Sequence, residues 1–327
     1  MNVVIDSFID KIKRKEKNDL HQIKSSLSKS PLQSSTSTLY NDTETFLKVY
    51  NNDQRSQAIF QQEYKAYKFL NEIPELEKYI PRLLESSTSK RNCFLLVENR
   101  GIDALELINS KHIDMDFNTW VKFLRDISHA ISILHEHDAT HGDVKPENVT
   151  YDTKTKSWSL IDFGFTYQNL STPLRFYGTI PYCSPHICVE YIKIRTATHS
   201  SVKSSVVNDL FSFAMTALSM FGYYFEVETT PQMSYSVTNL VKIYNGDIDG
   251  LYHRYIPKNT VPNATTKRII KLLASMVLTQ IDTSFSEVIW RKGQCRCFFS
   301  GHNPVPCDLD DYDIAKYWSE LITIIRN

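Results

Sequence analysis

Residues 141–164 read HGDVKPENVTYDTKTKSWSLIDFG, and they constrain the chain more than any other stretch. Two short apolar or extended runs, 149–151 and 158–161, flank a polar turn at 152–156. The segment therefore reads as loop, strand, hairpin turn, strand, loop. Asp143 precedes the first strand and Asp162 follows the second, so both carboxylates emerge on one rim. Asn148 lies five residues after Asp143, and Lys145 adds a positive charge. Two carboxylates, an amide and an ammonium around one small space suit a divalent cation and a phosphate.

HGDVKPEN resembles the catalytic loop of the eukaryotic-type protein kinases, and Asp162-Phe163-Gly164 resembles their metal-binding DFG. Both motifs occur in order, 14 residues apart from Asn148 to Asp162, which is far more specific than a lone DFG. The resemblance implies that Asp143 accepts the substrate hydroxyl proton, Lys145 steadies the transferred phosphoryl group, and Asn148 and Asp162 hold Mg2+. The family usually carries Arg where Gly142 stands, and that Arg pairs with a phosphate on the activation segment. Its absence implies an enzyme that is not switched in that way.

Upstream, residues 38–40, a polar 41–43 turn and residues 45–50 predict a hairpin. By resemblance, Phe46-Leu47-Lys48 is the strand whose lysine pairs with the α- and β-phosphates. Residues 54–72 predict a helix with Ala58, Ile59, Gln62, Ala66, Phe69 and Leu70 near one face and Glu63 at its border. Glu63 matches the acid that pairs with the strand lysine. Residues 81–84 and 93–97 predict two buried strands, followed by an extended connector from Glu98 to Asp103. That connector resembles the kinase hinge: Val97 guards the adenine pocket, Glu98 lies along the adenine edge, and Asp103 is either near the ribose or a cap of the next helix.

One departure concerns the nucleotide lid. Residues 25–38 are rich in Ser and Thr and predict a loop. Aligned on the family's glycine-rich loop, Leu32, Ser34 and Ser37 take the three glycine positions, and no glycine occurs before Gly101. Glycine allows close backbone approach to phosphate, so weaker or slower ATP use is expected.

Downstream, residues 119–137 predict a long helix with Trp120, Phe123, Leu124, Ile127, Ile131 and Leu134 facing the core. His135 and His137 read as surface residues, whereas for His141 the resemblance implies packing into the lobe core. Residues 178–186, GTIPYCSPH, resemble the GTxxY and APE elements of serine/threonine kinases, with His186 in place of the family's Glu. The Arg that would pair with that Glu is missing from 281–285 as well. Asp209-Leu210-Phe211-Ser212-Phe213-Ala214 resembles the helix whose aspartate braces the catalytic loop. Further helices are expected at 234–244, 265–278 and 311–325.

Composition bounds the rest. At 327 residues and 42% hydrophobic, the chain is long enough for two lobes with real cores. With 37 basic and 37 acidic residues it has no net field, so neither nucleic acid nor an anionic membrane is expected as main partner. Six scattered cysteines do not form a disulfide framework in a chain this large, and a reducing cytoplasmic or nuclear setting is expected. No apolar run is long enough to span a membrane. Residues 1–19 predict an amphipathic helix with a basic end, which packs on the neighbouring lobe or binds a partner or membrane surface. Cys295, Cys297, His302 and Cys307 fall one residue short of a zinc-knuckle spacing and read as ordinary reduced residues or a zinc site.

The expectation is an α+β, bilobal protein-kinase-like fold, with a helical extension at 1–19, a small β-rich N-lobe at 20–99 and a larger α-helical C-lobe at 100–327. The implied activity is ATP- and Mg2+-dependent phosphoryl transfer to Ser or Thr of protein substrates. Two alternatives stand beside it: a pseudokinase scaffold that binds partners without turnover, suggested by the missing glycines, and a small-molecule kinase of the aminoglycoside or choline type. The latter typically lacks the Lys-Pro after the aspartate and the GTxxY segment, both of which occur here.

Overall fold

Extended runs in the first hundred residues build one antiparallel sheet. The computed structural model describes residues 24, 27–33, 36–89, 92–110, 116–168, 173–174, 178–179, 182–184, 202–203, 206–221, 226–227, 232–236, 264–278, 287–291, 294–297 and 311–326. They divide into two compact units, Met1–Gly101 with Asp162–Gly164, and Ile102–Ile161 with Phe165–Asn327.

In the first unit, β1 (Ser28–Gln33), β2 (Ser37–Asn41), β3 (Thr45–Tyr50), β4 (Leu83–Ser89) and β5 (Asn92–Glu98) pair in the order β1-β2-β3-β5-β4. Leu27, Leu47, Phe94 and Leu96 form the buried cluster on this sheet. The Asp42 side chain accepts the N–H groups of Glu44 and Thr45, which closes the β2–β3 turn. β1 corrects the loop expected at 25–38: backbone pairing with β2, interrupted by an irregularity between Lys29 and Gln33, makes a strand of a sequence with little β propensity.

Helix α1 (Gln54–Leu70) starts at Asp53, whose side chain accepts the N–H of Ser56. Its buried face is Ser56, Phe60, Glu63, Ala66, Tyr67 and Leu70. That face is rotated from the expected one, since Ala58 is exposed and Ile59 and Phe69 are only half-buried. The rotation follows from counting Glu63 as a border residue, whereas it has partners inside and belongs to the buried stripe.

The second unit opens with β6 (Ile102–Asp103), α2 (Ala104–Ser110) and α3 (Phe117–Glu136). Asp103 caps α2, accepting the N–H of Glu106 at 2.8 Å. Asp116 does the same for α3 through Thr119. The strands β7 (Ala139–Thr140), β8 (Val149–Asp152), β9 (Ser157–Leu160) and β10 (Tyr167–Gln168) follow; β6, β8 and β9 form one sheet, and β7 pairs with β10. Next come β11 (Pro173–Leu174) paired with β12 (Val202–Lys203), α4 (Val206–Phe221), and the strands β13 (Glu226–Val227) and β14 (Gln232–Ser236). Helix α5 (Ala264–Leu278), β15 (Glu287–Arg291), β16 (Gln294–Cys297) and α6 (Asp311–Arg326) complete the described chain.

Strands β13 to β16 form a further, four-stranded antiparallel sheet. The helix expected from residue 234 is thereby corrected over 234–236, where backbone pairing with β15 holds the chain extended; residues 237–244 lie outside the described residues. Cys295 and Cys297 lie in β16, while His302, Cys307 and the 1–19 segment also lie outside. The helices expected at 265–278 and 311–325 are present as α5 and α6.

The second core is built around α3, and the six apolar residues expected on its inner face are all buried. Phe123 stands edge-on to Trp158 at 5.4 Å and stacked near Phe213 at 6.0 Å, so it joins α3, β9 and α4. Asp126 on the same face is a polar exception. It is paired with Lys122 and accepts the backbone N–H of Trp158, which fixes β9 on the helix. Phe123→Ala should lower the unfolding free energy by about 3–5 kcal/mol, the range for emptying a buried aromatic site; a urea midpoint within error of wild type would show that this aromatic junction does not hold the unit.

Candidate active site

Two groups of polar side chains stand out, one in each unit. In the first, β3 presents Lys48 and α1 presents Glu63 fifteen residues later. Lys48 Nζ lies 2.8 Å from Glu63 Oε2 and 3.2 Å from Asp162 Oδ1. The Tyr50 hydroxyl donates to the same Glu63 oxygen. Phe163 packs edge-on to Tyr67 of α1 at 5.2 Å, which holds the 162–164 turn against the helix. Asp162 sits at φ 62°, a left-handed conformation that Asp tolerates better than most residues and that turns its carboxylate out of the chain direction.

Burial opposes the charge on Lys48, but the Asp162 and Glu63 carboxylates outweigh it and hold the ammonium above the ordinary lysine range. Burial also lifts the Glu63 carboxyl, and Lys48 opposes that rise. Tyr50 is raised well above its usual value by burial, with the Glu63 charge adding, so it remains a donor.

The second group is carried by the loop between β7 and β8. Asp143 is 4% exposed, and its Oδ2 is 2.9 Å from Lys145 Nζ and 3.0 Å from Asn148 Nδ2. Asn148 also donates to the Asp143 carbonyl, so its amide nitrogen is committed and its amide oxygen is not used in either bond. Asp143 Oδ1 is buried with no hydrogen-bond partner among the described residues. Lys145 reaches Thr179 Oγ1 at 2.6 Å. His141 is buried, its Nδ1 accepting the Asp143 N–H and its Nε2 lying 3.0 Å from the Ile161 carbonyl.

Asp209 of α4 lies beneath this loop, fully buried, and accepts the backbone N–H groups of His141 and Gly142 at 2.8 Å each. Gly142 adopts φ 81°, a region open to glycine, which lets two successive N–H groups converge on one carboxylate. Gly178 is equally constrained. A Cβ there would stand 2.5 Å from Cys183 Sγ and 3.0 Å from the Gly142 carbonyl. Burial pushes the Cys183 thiol up, and the Asp143 charge adds to it.

His135, expected at the surface, is corrected. It is mostly buried, with Nε2 3.2 Å from Asp209 Oδ2. A periodicity reading that scores histidine as polar misses it, although His135 follows the buried Leu134 and precedes His141 by six residues. His137 is exposed. Glu98 ends β5, and its carboxylate is held by Arg82 and Arg100. Val97 is buried. Leu32 falls in β1, Ser37 opens β2 and is buried, and Ser34 lies outside the described residues.

The donor types in each unit, taken by itself, suit Mg2+ or a polyphosphate: the first has the hard Asp162 oxygens and the Lys48 cation, and the second has the Asn148 amide oxygen. Among the described residues no group of three or more His, Cys, Asp or Glu is placed to hold a metal ion by itself.

The Lys48–Glu63 pair makes stability depend on pH. Lys48, raised in the fold, contributes stability that is fully present below its ordinary 10.5 and lost as pH rises through its folded value. Glu63, also raised, holds its proton more tightly folded than unfolded, so ionising it above 4.5 costs stability unless Lys48 answers the charge. Lys48→Met should therefore destabilise the chain by about 3–5 kcal/mol near pH 7.5, and clearly less at pH 4.5, where Glu63 keeps its proton. Thermal unfolding at the two pH values tests this; an equal loss at both would show that the pair is not the source.

The family model for the protein kinase domain matches residues 39–283. The rat serine/threonine-protein kinase Kist is 26% identical over 128 residues, 39% of this chain and 30% of that protein. A fowlpox virus protein described as a probable serine/threonine-protein kinase is 30% identical over 122 residues, 36% of this chain and 38% of that one. The matches thus span well under half the length of these curated relatives. Among solved structures, the Cydia pomonella granulovirus kinase PK-1 is similar with a TM-score of 0.52 at 16% identity, covering 80% of this chain and 92% of that one. That likeness concerns the fold. Since the matched family span takes in well over half of the 327 residues and includes Lys48, Glu63, Asp143, Asn148 and Asp162, the chain belongs to the protein kinase domain family and has its bilobal α+β fold.

Proposed function

We propose that the chain transfers the γ-phosphoryl group of ATP to Ser or Thr hydroxyls of protein substrates. The observation that carries this reading is the Asp143 carboxylate. One of its oxygens is committed to Lys145 and Asn148, and the other is buried without a partner among the described residues. A carboxylate held in that way is prepared to accept the hydrogen of an incoming hydroxyl and to orient its oxygen. Mg-ATP, when bound, supplies the phosphoryl group and neutralises its developing charge.

The chain's own residues divide the remaining work. Lys145 lies beside the Asp143 carboxylate and Thr179, a cation placed for phosphoryl oxygens. Asn148 and Asp162 offer oxygen ligands to Mg2+. Lys48 takes ATP phosphates, and Glu63 with Tyr50 keeps its ammonium in one orientation. With the Glu98 side chain engaged by two arginines, any contact to adenine falls to the backbone of the connector. The Lys145–Thr179 hydrogen bond and the serine/threonine kinase relatives support Ser or Thr acceptors. Cys93 and Cys183 are buried and not in a disulfide, which supports a reducing compartment, cytosol or nucleus, as the setting.

A second reading, partner binding without turnover, draws on the glycine-free lid and the buried Ser37 at its edge. A γ-phosphate transfer assay separates the two. Asp143→Asn and Asp162→Ala should each abolish transfer while leaving the fold intact by circular dichroism. Transfer by Asp162→Ala equal to wild type at saturating Mg2+ would sink the metal assignment, and no transfer by wild type on any protein acceptor would favour the scaffold.

Regulation follows from Gly142. With glycine rather than arginine at position 142, the loop offers no arginine there for an activation-segment phosphate to neutralise, so unphosphorylated protein should already be active. Ser171→Ala and Thr172→Ala should change the rate by less than about tenfold, under about 1.4 kcal/mol of barrier. A hundredfold loss restored by phosphate would contradict this.

A further inference from the structure

Two buried polar atoms in the second unit have no hydrogen-bond partner among the described residues, and they belong to neighbouring rings. They are His135 Nδ1 and Trp318 Nε1. Trp318 lies on α6 and is 6% exposed, and its ring centroid is 6.2 Å from that of His135. The proton inventory of this corner is decided by Asp209. Both of its oxygens already accept backbone N–H groups, so the His135 Nε2 lying 3.2 Å away must bring a hydrogen. In a neutral ring that leaves Nδ1 as an acceptor. The indole N–H can only donate. An unpaired donor and an unpaired acceptor, adjacent and buried, are complementary, and buried groups of this kind are commonly joined by an internal water.

We propose that Trp318 is a positioning residue for the catalytic loop. Its indole N–H is joined to His135 Nδ1 through one buried water, so that α6 fixes the tautomer and orientation of His135. His135 in turn holds Asp209 under the backbone of His141 and Gly142. The Trp318 ring is fixed from a second side by Phe213, edge-on at 5.3 Å and one helical turn along α4 from Asp209. Helix α6 lies beyond residues 39–283, so the connection is added by a part of the chain outside the family match. The relay touches no reacting atom. In its consequence for rate it rests on the phosphoryl-transfer reading; in its chemistry it does not.

Trp318→Phe keeps an aromatic ring against Phe213 and deletes the N–H alone. In the full chain labelled with 15N-histidine, the wild-type His135 ring should show a single Nε2–H tautomer, and Trp318→Phe should convert it to a mixture. The variant's kcat should fall by about tenfold, with the KM for Mg-ATP within about twofold of wild type. On a His135→Gln background the same substitution should add no further loss, because the two residues act in series. An unchanged His135 tautomer would overturn the proposal, as would an unchanged kcat in the folded variant or fully additive losses. Should wild type transfer no phosphate, the kinase reading fails by itself and the histidine spectra still decide the relay.

Discussion

The second unit depends on one buried carboxylate. Asp209 is removed from water, which is costly for a charge unless strong donors meet both of its oxygens. It finds three N–H groups: the His141 and Gly142 backbone amides and the His135 ring. The loop is obliged to bend so that consecutive amides converge, and the left-handed Gly142 is the residue that permits it. Once bent, His141 is driven inward, where it links the Asp143 backbone to the Ile161 carbonyl. The positions of Asp143 and Asn148 are therefore consequences of satisfying a buried charge, not independent choices.

In the first unit the same accounting applies to a pair. Glu63 would be an expensive group on the inner face of α1, and it is retained there by Lys48 and by the Tyr50 hydroxyl. A buried pair of this kind adds little stability against a well-packed apolar replacement, yet losing one partner strands the other. What the pair secures is orientation. The ammonium is held between two acids, Glu63 and Asp162, one from the helix and one from the DFG turn.

The fold and the polar groups were legible to different degrees, for physical reasons. Helix α3 was readable because its core face is apolar at every expected position. The β8–β9 hairpin was readable because turn residues bracket it, and Lys48, Glu63, Asp143, Asn148 and Asp162 because motif spacing survives even at low identity. Strand β1 was not, since Ser-rich sequence carries no periodicity and only its pairing with β2 makes it extended. The true face of α1 and the burial of His135 were missed for a shared reason. Each turns a polar side chain inward to meet a partner distant in sequence, Lys48 in one case and Asp209 in the other, and periodicity scores polar residues as outward-facing. Residues 234–236, expected as the start of a helix, are strand because their pairing partner lies more than fifty residues away in β15.

Asp209 also lies between the two residues of α4 that hold the described end of the activation segment. The residues flanking it on α4 do the anchoring: Asn208 accepts the Ser184 N–H at 2.9 Å, and the Ser212 hydroxyl donates to the Tyr182 carbonyl at 2.6 Å. Gly178 leaves room for Cys183 to pack against the catalytic loop, and Lys145 ties Thr179 to Asp143. The bonds from Asn208 and Ser212 are neutral, the first buried and the second partly so, and salt screens them little compared with an exposed ion pair; neither requires a phosphate to complete it. One helix thus serves both the loop that carries Asp143 and the segment that follows it, and it does so through hydrogen bonds already made in the unmodified chain.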